Sequence, residues 1–535
     1  MSLGIEVNTK ERQMEGLFCV TKAFTSSKSL IVFFFLILFG TLVSFWWTDK
    51  PFQLLQWVNP STTKDEHQKN PATKPTALAL NCSSPKANAT AKTPLIAFPP
   101  SIPPTAHPSP ASATCPDYFR WIHEDLRPWA ATGITSEMVQ RAKVDAAFRL
   151  VIVDGVPYIH RYHHVFQTRD IFTIWGILQL LRRHQGRVPD LDLMFNCEDM
   201  PVVRTPASGS IPPPPLFRYC KDDSTVDIVF PDWSFWGWPE VNIRPWQTMS
   251  RELREESERQ PWQHREPYAY WKGNPDVATT RKDLMRCNVS KSRDWKARLF
   301  RVDWEEERRR GFKNSNLANQ CSYRYKVYVE GRSWSVSEKY VMACGSPTLY
   351  VETKFQDFVS RGLRPGQHYW PIPKKGVCRA IKQAVEWGNA HPKQALAMAD
   401  AASRFIHGNL KMEMVYDYML HLLTEYSKLL TYKPTKPSDA VELNLEWVAC
   451  PFEGKVRDYL MASMESKPSW KESCTLPPPF SPHELRELVM EKTNGTQVVE
   501  RLMHSNSGQR SLAGALWSIL FISFLHCINV LLSLL

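Results

Sequence analysis

The sequence lacks the paired cysteines of a zinc site. None of its 12 cysteines stands in a Cys-x-x-Cys pair, and ten are widely spaced between an apolar N-terminal run and an apolar C-terminal tail. This spacing argues against structural zinc and favours disulfides together with a few buried thiols. The cysteines therefore indicate an oxidising compartment.

The sequence also lacks the basic arm or stripe that binds nucleic acid. The net charge is +12, but basic residues alternate with acids, as in "WEEERRRGF" (Trp304–Phe312). Positive charge without such a pattern is weak evidence for a phosphate backbone as partner. We do not expect nucleic acid to be a partner.

Glycine is scarce beside proline, with 22 Gly against 41 Pro, and 11 of the prolines lie between residues 60 and 110. That stretch is rich in Pro, Ser, Thr and Ala and cannot bury enough apolar surface to fold. The whole sequence is 43% hydrophobic, and most of the chain outside this stretch reads as globular. The composition predicts a disordered stem over residues 48–114.

An uncharged apolar run, "SLIVFFFLILFGTLVSFWW" (Ser29–Trp47), precedes the stem. Its length matches the roughly 20 residues that cross a bilayer core, and it lacks the small-residue cleavage site of a secretory signal. The run is preceded by four basic residues, Lys10, Arg12, Lys22 and Lys28. The positive-inside rule therefore places residues 1–28 in the cytosol. We expect a type II membrane protein whose folded part is lumenal.

Four Asn-X-Ser/Thr sequons agree with a lumenal location, since N-glycosylation occurs in the secretory pathway. They begin at Asn81, Asn88, Asn288 and Asn494.

The globular part reads as layered α/β structure in two lobes. Residues 115–245 alternate predicted helices with a hairpin at Asp154-Gly155 and a buried strand, and residues 246–430 repeat the strand–helix alternation. Residues 431–510 form a C-terminal extension. The apolar tail at 511–535 is long enough to span a membrane, and a second span, a lipid-anchor signal or an added extension all fit it. We expect the tail to be dispensable for any activity.

The buried strand in "LDLMFNCEDMPVV" (Leu191–Val203) ends at two acids, Glu198 and Asp199. In open α/β sheets ligands bind beyond the carboxyl ends of strands, so Asp199 could act as a base at a cleft. An acidic loop or a helix cap explains the same pattern. Cys197 could be a nucleophile, although a disulfide or a buried thiol fits a lumenal cysteine better.

Two further patterns suggest metal ligands. Asp190 and Asp192 form the Asp-X-Asp pattern that holds a divalent metal in one class of glycosyltransferases, but they begin the strand instead of ending it. The cluster "HRYHH" (His160–His164) contains neighbours that would face opposite sides of a strand, so surface or packing histidines are favoured.

Two loops have the composition of phosphate sites. "YWKGNPDVATTRKDL" (Tyr270–Leu284) places a glycine turn before Arg281 at the start of a predicted helix, and "EGRSWSVSEKY" (Glu330–Tyr340) places Arg332 and several hydroxyls before another. Backbone N–H groups at a helix start can hold a phosphate while an arginine pairs with it. Two such loops in one lobe favour a diphosphate.

These segments, in this order, resemble glycosyltransferase family 90, which includes Rumi-like protein O-glucosyltransferases and capsule-associated xylosyltransferases, and especially its plant branch. The resemblance covers roughly Cys115 to Leu430 and rests on "NCEDMP", "PDWSFWGWPE", "YWKGNPDVATTRKDL" and "GRSWSVSEKYVMACGSPTLYVE". It implies a GT-B-like fold of two Rossmann-type lobes around a cleft. It also implies inverting, metal-independent transfer of glucose or xylose from a UDP-sugar to a hydroxyl, without another cofactor.

The resemblance assigns roles to individual residues. Asp199 is the catalytic base. The other assigned residues are, for the donor, Gly273, Asn274, Arg281, Arg332, Ser333, Trp334, Ser335 and Ser337; for the cleft, Glu198, Trp233, Phe235, Trp236 and Gly237; and, for a disulfide, Cys321 and Cys344. The chain departs from animal members at Ser337, where they carry an arginine, and its turn is one residue longer.

The expected protein is therefore a transferase of the Golgi or endoplasmic reticulum membrane. Its partners would be UDP-glucose or UDP-xylose and a protein or polysaccharide acceptor. A lumenal sugar-binding or scaffold protein that kept the fold without turnover is the alternative.

Overall fold

Residues 80, 82, 113–207, 211–469, 471–495 and 497–501 are described by the computed structural model. All of them belong to one unit, Thr76–Leu535. The predicted cytosolic tail, membrane anchor, most of the stem and the apolar tail lie outside the described residues. Within the described ranges, no helix combines the length and the apolarity that crossing a membrane requires.

Thirteen strands are found in the described part of the chain. In chain order they are β1 (Phe148–Val153), β2 (Val156–Arg161), β3 (Leu191–Phe195), β4 (Phe217–Arg218), β5 (Cys220–Lys221), β6 (Ile228–Val229), β7 (Glu266–Gly273), β8 (Ala297–Arg301), β9 (Tyr323–Tyr328), β10 (Thr348–Val351), β11 (Gln356–Asp357), β12 (Trp370–Ile372) and β13 (Val441–Glu442).

Helices separate most of these strands. The α-helices of the described ranges are α1 (Trp121–Leu126), α2 (Ser136–Arg141), α3 (Arg169–Arg183), α4 (Trp246–Arg259), α5 (Thr279–Met285), α6 (Trp304–Arg309), α7 (Ser337–Met342), α8 (Val377–Ala390), α9 (Pro392–Asn409), α10 (Met412–Leu429), α11 (Leu445–Ala449), α12 (Gly454–Ala462) and α13 (Pro482–Thr493).

The first sheet has the order β13-β2-β1-β3-β4-β6 and is mixed. The predicted hairpin is present: β1 and β2 pair antiparallel, and Asp154 and Gly155 both have positive φ, as a two-residue hairpin turn requires. β1 also pairs antiparallel with β3, and within this sheet β3, β4 and β6 run parallel to one another, so the lobe combines an antiparallel hairpin with a parallel α/β part.

The second sheet has the order β12-β10-β9-β7-β8, and all of its strands are parallel. The chain runs from β7 outward to β8 and then returns to the other side of β7 for β9. The direction of winding therefore reverses between β7 and β9. In doubly wound sheets a ligand crevice forms at that switch point, beyond the carboxyl ends of the two strands.

Each sheet has its own hydrophobic core. One core surrounds the first sheet and includes four of the five residues of β3, all except Asp192, whereas Trp271, Leu299 and Val327 belong to the other. The chain returns to the first sheet after the second: Tyr426 of α10 donates a hydrogen bond to the carbonyl oxygen of Asp192 (2.9 Å), and β13 pairs with β2.

Four disulfides are formed by the described residues: Cys82–Cys450, Cys115–Cys474, Cys287–Cys378 and Cys321–Cys344. The Cys321–Cys344 pair confirms the bridge that the family resemblance implied. Cys197 and Cys220 are buried and unpaired among the described cysteines.

We expect replacement of both Cys321 and Cys344 by serine to lower the free energy of unfolding. The bridge closes a loop with a sequence separation of 23 residues, for which the loss of unfolded-state entropy is worth about 3 kcal/mol. Urea denaturation of the variant and the wild type measures the difference. Equal stabilities, or free thiols at both positions in non-reducing peptide mapping of the wild type, would contradict the assignment.

Candidate active site

The loop that follows β3 places two acids at one edge of the first sheet. β3, β4 and β6 are parallel, so their carboxyl ends lie at the same edge. The strand is buried throughout, whereas the Asp199 side chain is 27% exposed and Glu198 lies open to solvent. Asp199 therefore stands where buried structure meets solvent.

Arg169, the first residue of α3, fixes the orientation of the Asp199 carboxylate. Its Nη1 donates to Asp199 Oδ1 at 2.8 Å, and its side chain is only 6% exposed. The guanidinium carbon lies 4.5 Å from the centre of the Trp233 ring. No described residue donates a hydrogen bond to Oδ2 of Asp199. That oxygen is free to accept a proton from a bound molecule.

A loop from the second sheet reaches the same place. The Ser333 hydroxyl donates to the backbone carbonyl oxygen of Asp199 at 2.7 Å. The Trp334 ring lies 5.9 Å from the Trp233 ring and 5.6 Å from the Tyr219 ring, which follow β6 and β4 of the first sheet. The carboxyl edges of the two sheets therefore meet at Asp199.

Arg281 joins the two strands at the switch point of the second sheet. Its Nη1 donates to the carbonyl oxygen of Asn274 after β7 (3.2 Å), and its Nε donates to that of Glu330 after β9 (2.8 Å). Its Nη2 donates to Ser335 Oγ (3.1 Å), which lies 2.9 Å from Ser337 Oγ. The residues assigned to the donor are thus brought together at the crevice.

Two arginines lie in the segments that form this crevice. Burial lowers the pKa of Arg281 to about 10, so the guanidinium stays charged at neutral pH. Arg332 is exposed and forms no hydrogen bond or ion pair with the described residues. Gly273 ends β7 under the Trp271 ring, and a Cβ there would lie 2.7 Å from a ring carbon, so a larger residue would displace the turn.

A buried lysine provides a second connection between the two sheets. Lys339 of α7 donates to Ser234 Oγ (2.7 Å) and pairs with Asp232 Oδ2 (3.3 Å) in the segment after β6. Burial lowers the pKa of Lys339, and the Asp232 carboxylate opposes that shift. The pair anchors α7, and with it the Ser333–Ser337 loop, to the first sheet.

Comparison with known proteins decides the family. The model of glycosyl transferase family 90 matches residues 110–503, which is more than half of the chain. The chain belongs to glycosyltransferase family 90. An O-glucosyltransferase rumi homolog of Anopheles gambiae is 26% identical over 347 residues, 62% of this chain and 83% of that protein.

Two other relatives have similar coverage. Protein O-glucosyltransferase 1 of Homo sapiens is 26% identical over 348 residues, 61% of this chain and 83% of its own length. O-glucosyltransferase rumi of Drosophila melanogaster is 24% identical over 346 residues, 62% of this chain and 81% of its own length. This family 90 chain is therefore similar to O-glucosyltransferases over most of their length.

The aromatic residues that were expected to line the cleft divide into two groups. Trp233 contacts Arg169 and Trp334 beside Asp199. All three side chains are buried, but Phe235 and Trp236 contact the core away from Asp199, and Trp236 Nε1 donates to the Tyr416 hydroxyl of α10 at 3.0 Å. The expectation of a cleft position is wrong for these two, because their rings pack between α3, α4 and α10.

Gly237 is also buried. Its φ is +139°, and a Cβ at this position would lie 3.1 Å from atoms of Phe172 and Tyr459. Its role is to permit a tight passage of the backbone through the core.

The geometry argues against the metal patterns of the sequence. Both oxygens of Asp192 accept hydrogen bonds from Arg149 (2.8 and 2.5 Å), and Oδ2 also accepts one from Tyr432 (2.8 Å). Asp190 caps the backbone N–H of Asp154. A carboxylate committed to a guanidinium is a poor cation ligand. In the histidine cluster, His160 pairs with Asp439, while His163 and His164 are exposed beyond the end of β2.

Cys197 lacks the environment of a nucleophile. It is fully buried, and burial raises the pKa of its thiol far above neutrality. The thiolate is therefore scarcely populated, and Cys197 acts as a core residue next to the loop that carries Asp199.

The sequons have different surroundings. Asn81 and Asn88 lie outside the described residues, and Asn494 is exposed after α13. The Asn288 side chain is occupied, because its Nδ2 donates to the carbonyl oxygen of Leu299 (2.9 Å) and its Oδ1 accepts from the N–H of the same residue (3.1 Å).

We expect Arg169→Met to lower the turnover number for glycosyl transfer by about 100-fold, because the carboxylate of Asp199, the candidate base, would lose its fixed orientation. The KM for the donor should change little, since the loops expected to bind the donor lie on the other sheet. Arg169→Lys, which retains the charge, should be intermediate. Arg251→Met, on the exposed face of α4, is the matched control. Unchanged turnover in Arg169→Met would show that the ion pair only stabilises the fold.

We expect Glu330 to make stability depend on pH. Burial raises its pKa from 4.5 to about 7, against two hydrogen bonds from the backbone N–H groups of Lys354 and Phe355. Because the folded state holds this proton more tightly, the stabilisation is present below pH 4.5 and is lost as pH rises through 7. Relative to Glu330→Gln, the free energy of unfolding of the wild type should fall by up to about 3 kcal/mol over that interval.

Denaturation of wild type and Glu330→Gln at several pH values measures this difference. Glu352→Gln is the control, because Glu352 is exposed on the connection that follows β10. Parallel pH profiles for the wild type and Glu330→Gln would contradict the assignment.

Proposed function

We propose that this family 90 chain is an inverting transferase that moves glucose or xylose from a UDP-sugar to a hydroxyl group of a protein or glycan. One observation carries the proposal: the Ser333–Asp199 hydrogen bond joins a candidate base to the switch-point crevice of a parallel sheet. A base and an anion-binding crevice at the same place are what such a displacement needs. The arrangement of two sheets with facing carboxyl edges supports a GT-B-like fold.

The reaction requires two opposite electrostatic environments. The attacking hydroxyl must lose a proton on one face of the sugar, and the departing UDP gains negative charge on the other. Asp199 Oδ2 would accept the proton, while Arg169 holds Oδ1 in place. Arg332 and the charged Arg281 would stabilise the diphosphate, together with the hydroxyls of Ser335 and Ser337. We propose that these fixed charges replace a metal ion.

The roles differ among the residues first assigned to the donor. The Arg281 guanidinium already donates to protein acceptors from all three nitrogens, so its main contribution would be to shape the crevice and to supply a nearby charge. Arg332, exposed and unpaired among the described residues, is the better direct phosphate ligand. The Ser333 hydroxyl is bound to the loop that carries Asp199, so we do not assign it to the donor.

We also propose a location in the Golgi or endoplasmic reticulum membrane. The four disulfides among the described residues support an oxidising compartment. The exposed Asn494 sequon is consistent with a lumenal domain. The membrane anchor and the orientation rest on the sequence of residues 1–47 alone.

Turnover of Asp199→Asn tests the proposed function. With UDP-glucose and UDP-xylose as donors and a panel of peptide and glycan acceptors, we expect a loss of about 10²–10⁴-fold, the usual contribution of a general base. Glu198→Gln is the matched control, because the neighbouring carboxylate is exposed and should be dispensable. Loss of activity in Glu198→Gln alone would show that Glu198, and not Asp199, is the base. Absence of turnover in the wild type with every donor would favour a sugar-binding protein without activity.

A further inference from the structure

A cavity of about 430 Å³ lies between α1, α9 and α13, and none of the residues assigned above to the base or the donor lines it. Its volume is within the range of small-molecule sites, which is about 300–1,000 Å³. Its walls combine aromatic rings with arginine, histidine and amide side chains. This composition differs from that of a purely apolar gap between helices.

Aromatic rings form one wall of the cavity. Trp121 and Phe480 meet edge to face with their centres 5.6 Å apart, and Phe405 packs against the His368 ring at 5.5 Å. These side chains contribute apolar surface on elements that are distant in sequence, namely α1, the segment before α13, and α9. Such a wall suits a ring-shaped ligand with an apolar face.

Hydrogen-bond donors in the walls lack acceptors. Trp121 Nε1 is buried and forms no hydrogen bond with the described residues, whereas the Arg361 guanidinium binds Asp125 at 2.6 and 2.7 Å and interacts with the Tyr418 hydroxyl. His368 accepts the N–H of Arg364 at Nδ1 (2.9 Å), so in the neutral ring Nε2 carries the proton and can donate. A surplus of donors favours a ligand that offers acceptor oxygens.

The charge of the cavity is positive. Arg404 forms no ion pair or hydrogen bond with the described residues, whereas Arg364 pairs with Glu491 at 2.9 Å. The one acid in the walls, Asp117, is already bound to Arg120 at 3.2 Å. Burial, Arg364, Lys492 and Arg404 lower the pKa of His368 to about 4, so the imidazole is neutral and leaves the cationic charge to the arginines.

We propose that this cavity binds an acidic saccharide, with one sugar carboxylate at Arg404 and the sugar ring against Trp121 and Phe405. The single unpaired guanidinium matches one negative charge, whereas a nucleoside diphosphate carries more charge than Arg404 can neutralise. The amide groups of Gln367 and Asn409, which also line the cavity, can both donate to and accept from sugar hydroxyls. The site is separate from the proposed transferase reaction and does not depend on it.

Isothermal titration calorimetry of the full-length chain with a trisaccharide that contains one galacturonic acid unit, and therefore one carboxylate, tests the proposal. The matched ligand is the same trisaccharide with that carboxylate reduced to an alcohol. We expect the acidic trisaccharide to bind at least about tenfold more tightly than the neutral one. Arg404→Gln should remove most of that difference, since a charge-assisted hydrogen bond to carboxylate is lost. Arg379→Gln, on the exposed face of α8, should bind as the wild type does.

Asp199→Asn and competition with UDP distinguish this cavity from the donor cleft. We expect the acidic trisaccharide to bind Asp199→Asn with wild-type affinity and to resist displacement by UDP. Displacement by UDP, loss of binding in Asp199→Asn, equal affinity for both trisaccharides, or an Arg404→Gln variant with unchanged affinity would each overturn the proposal. Absence of binding to the wild type would overturn it as well. None of these results depends on whether the chain transfers a sugar.

Discussion

The hydrogen bond from the Ser333 hydroxyl to the carbonyl oxygen of Asp199 is the constraint on which the candidate active site depends. Each sheet alone supplies half of the site: the first ends at a carboxylate, and the second ends at a crevice lined by arginine and serine. The buried Lys339–Asp232 pair reinforces the same connection from the core. Because breaking a buried ion pair leaves a charge uncompensated, the two halves are held together by more than a surface contact.

Local sequence signals predicted much of this arrangement. The buried β3 strand, the hairpin turn at Asp154-Gly155 and the alternation of strands and helices in the second sheet all have short-range patterns that the structure confirms. The glycine turn after β7 and the Ser333–Ser337 loop also lie together, since both follow adjacent strands of one sheet. The resemblance to family 90 supplied what periodicity could not, including the Cys321–Cys344 bridge.

Contacts between distant segments were not predictable from those signals. Arg169 lies 30 residues before Asp199, and nothing in the amphipathic pattern of α3 shows that its first residue turns toward the base loop. Phe235 and Trp236 have the composition of a sugar-binding motif, but the return of α10 to the first sheet buries Trp236 against Tyr416. Because α10 follows the second sheet in the chain but packs on the first, the order of the lobes in the sequence does not show which helices complete each core.

A crystal structure of the chain with UDP and an unreactive acceptor analogue bound together would test the proposed roles of both sheets at once. We expect the acceptor hydroxyl to lie within hydrogen-bond reach of Asp199 Oδ2, about 2.6–3.2 Å. We expect the diphosphate to lie at the crevice beyond β7 and β9, in contact with Arg332. An acceptor hydroxyl beside Glu198, or a diphosphate bound near Asp190 and Asp192, would contradict these roles.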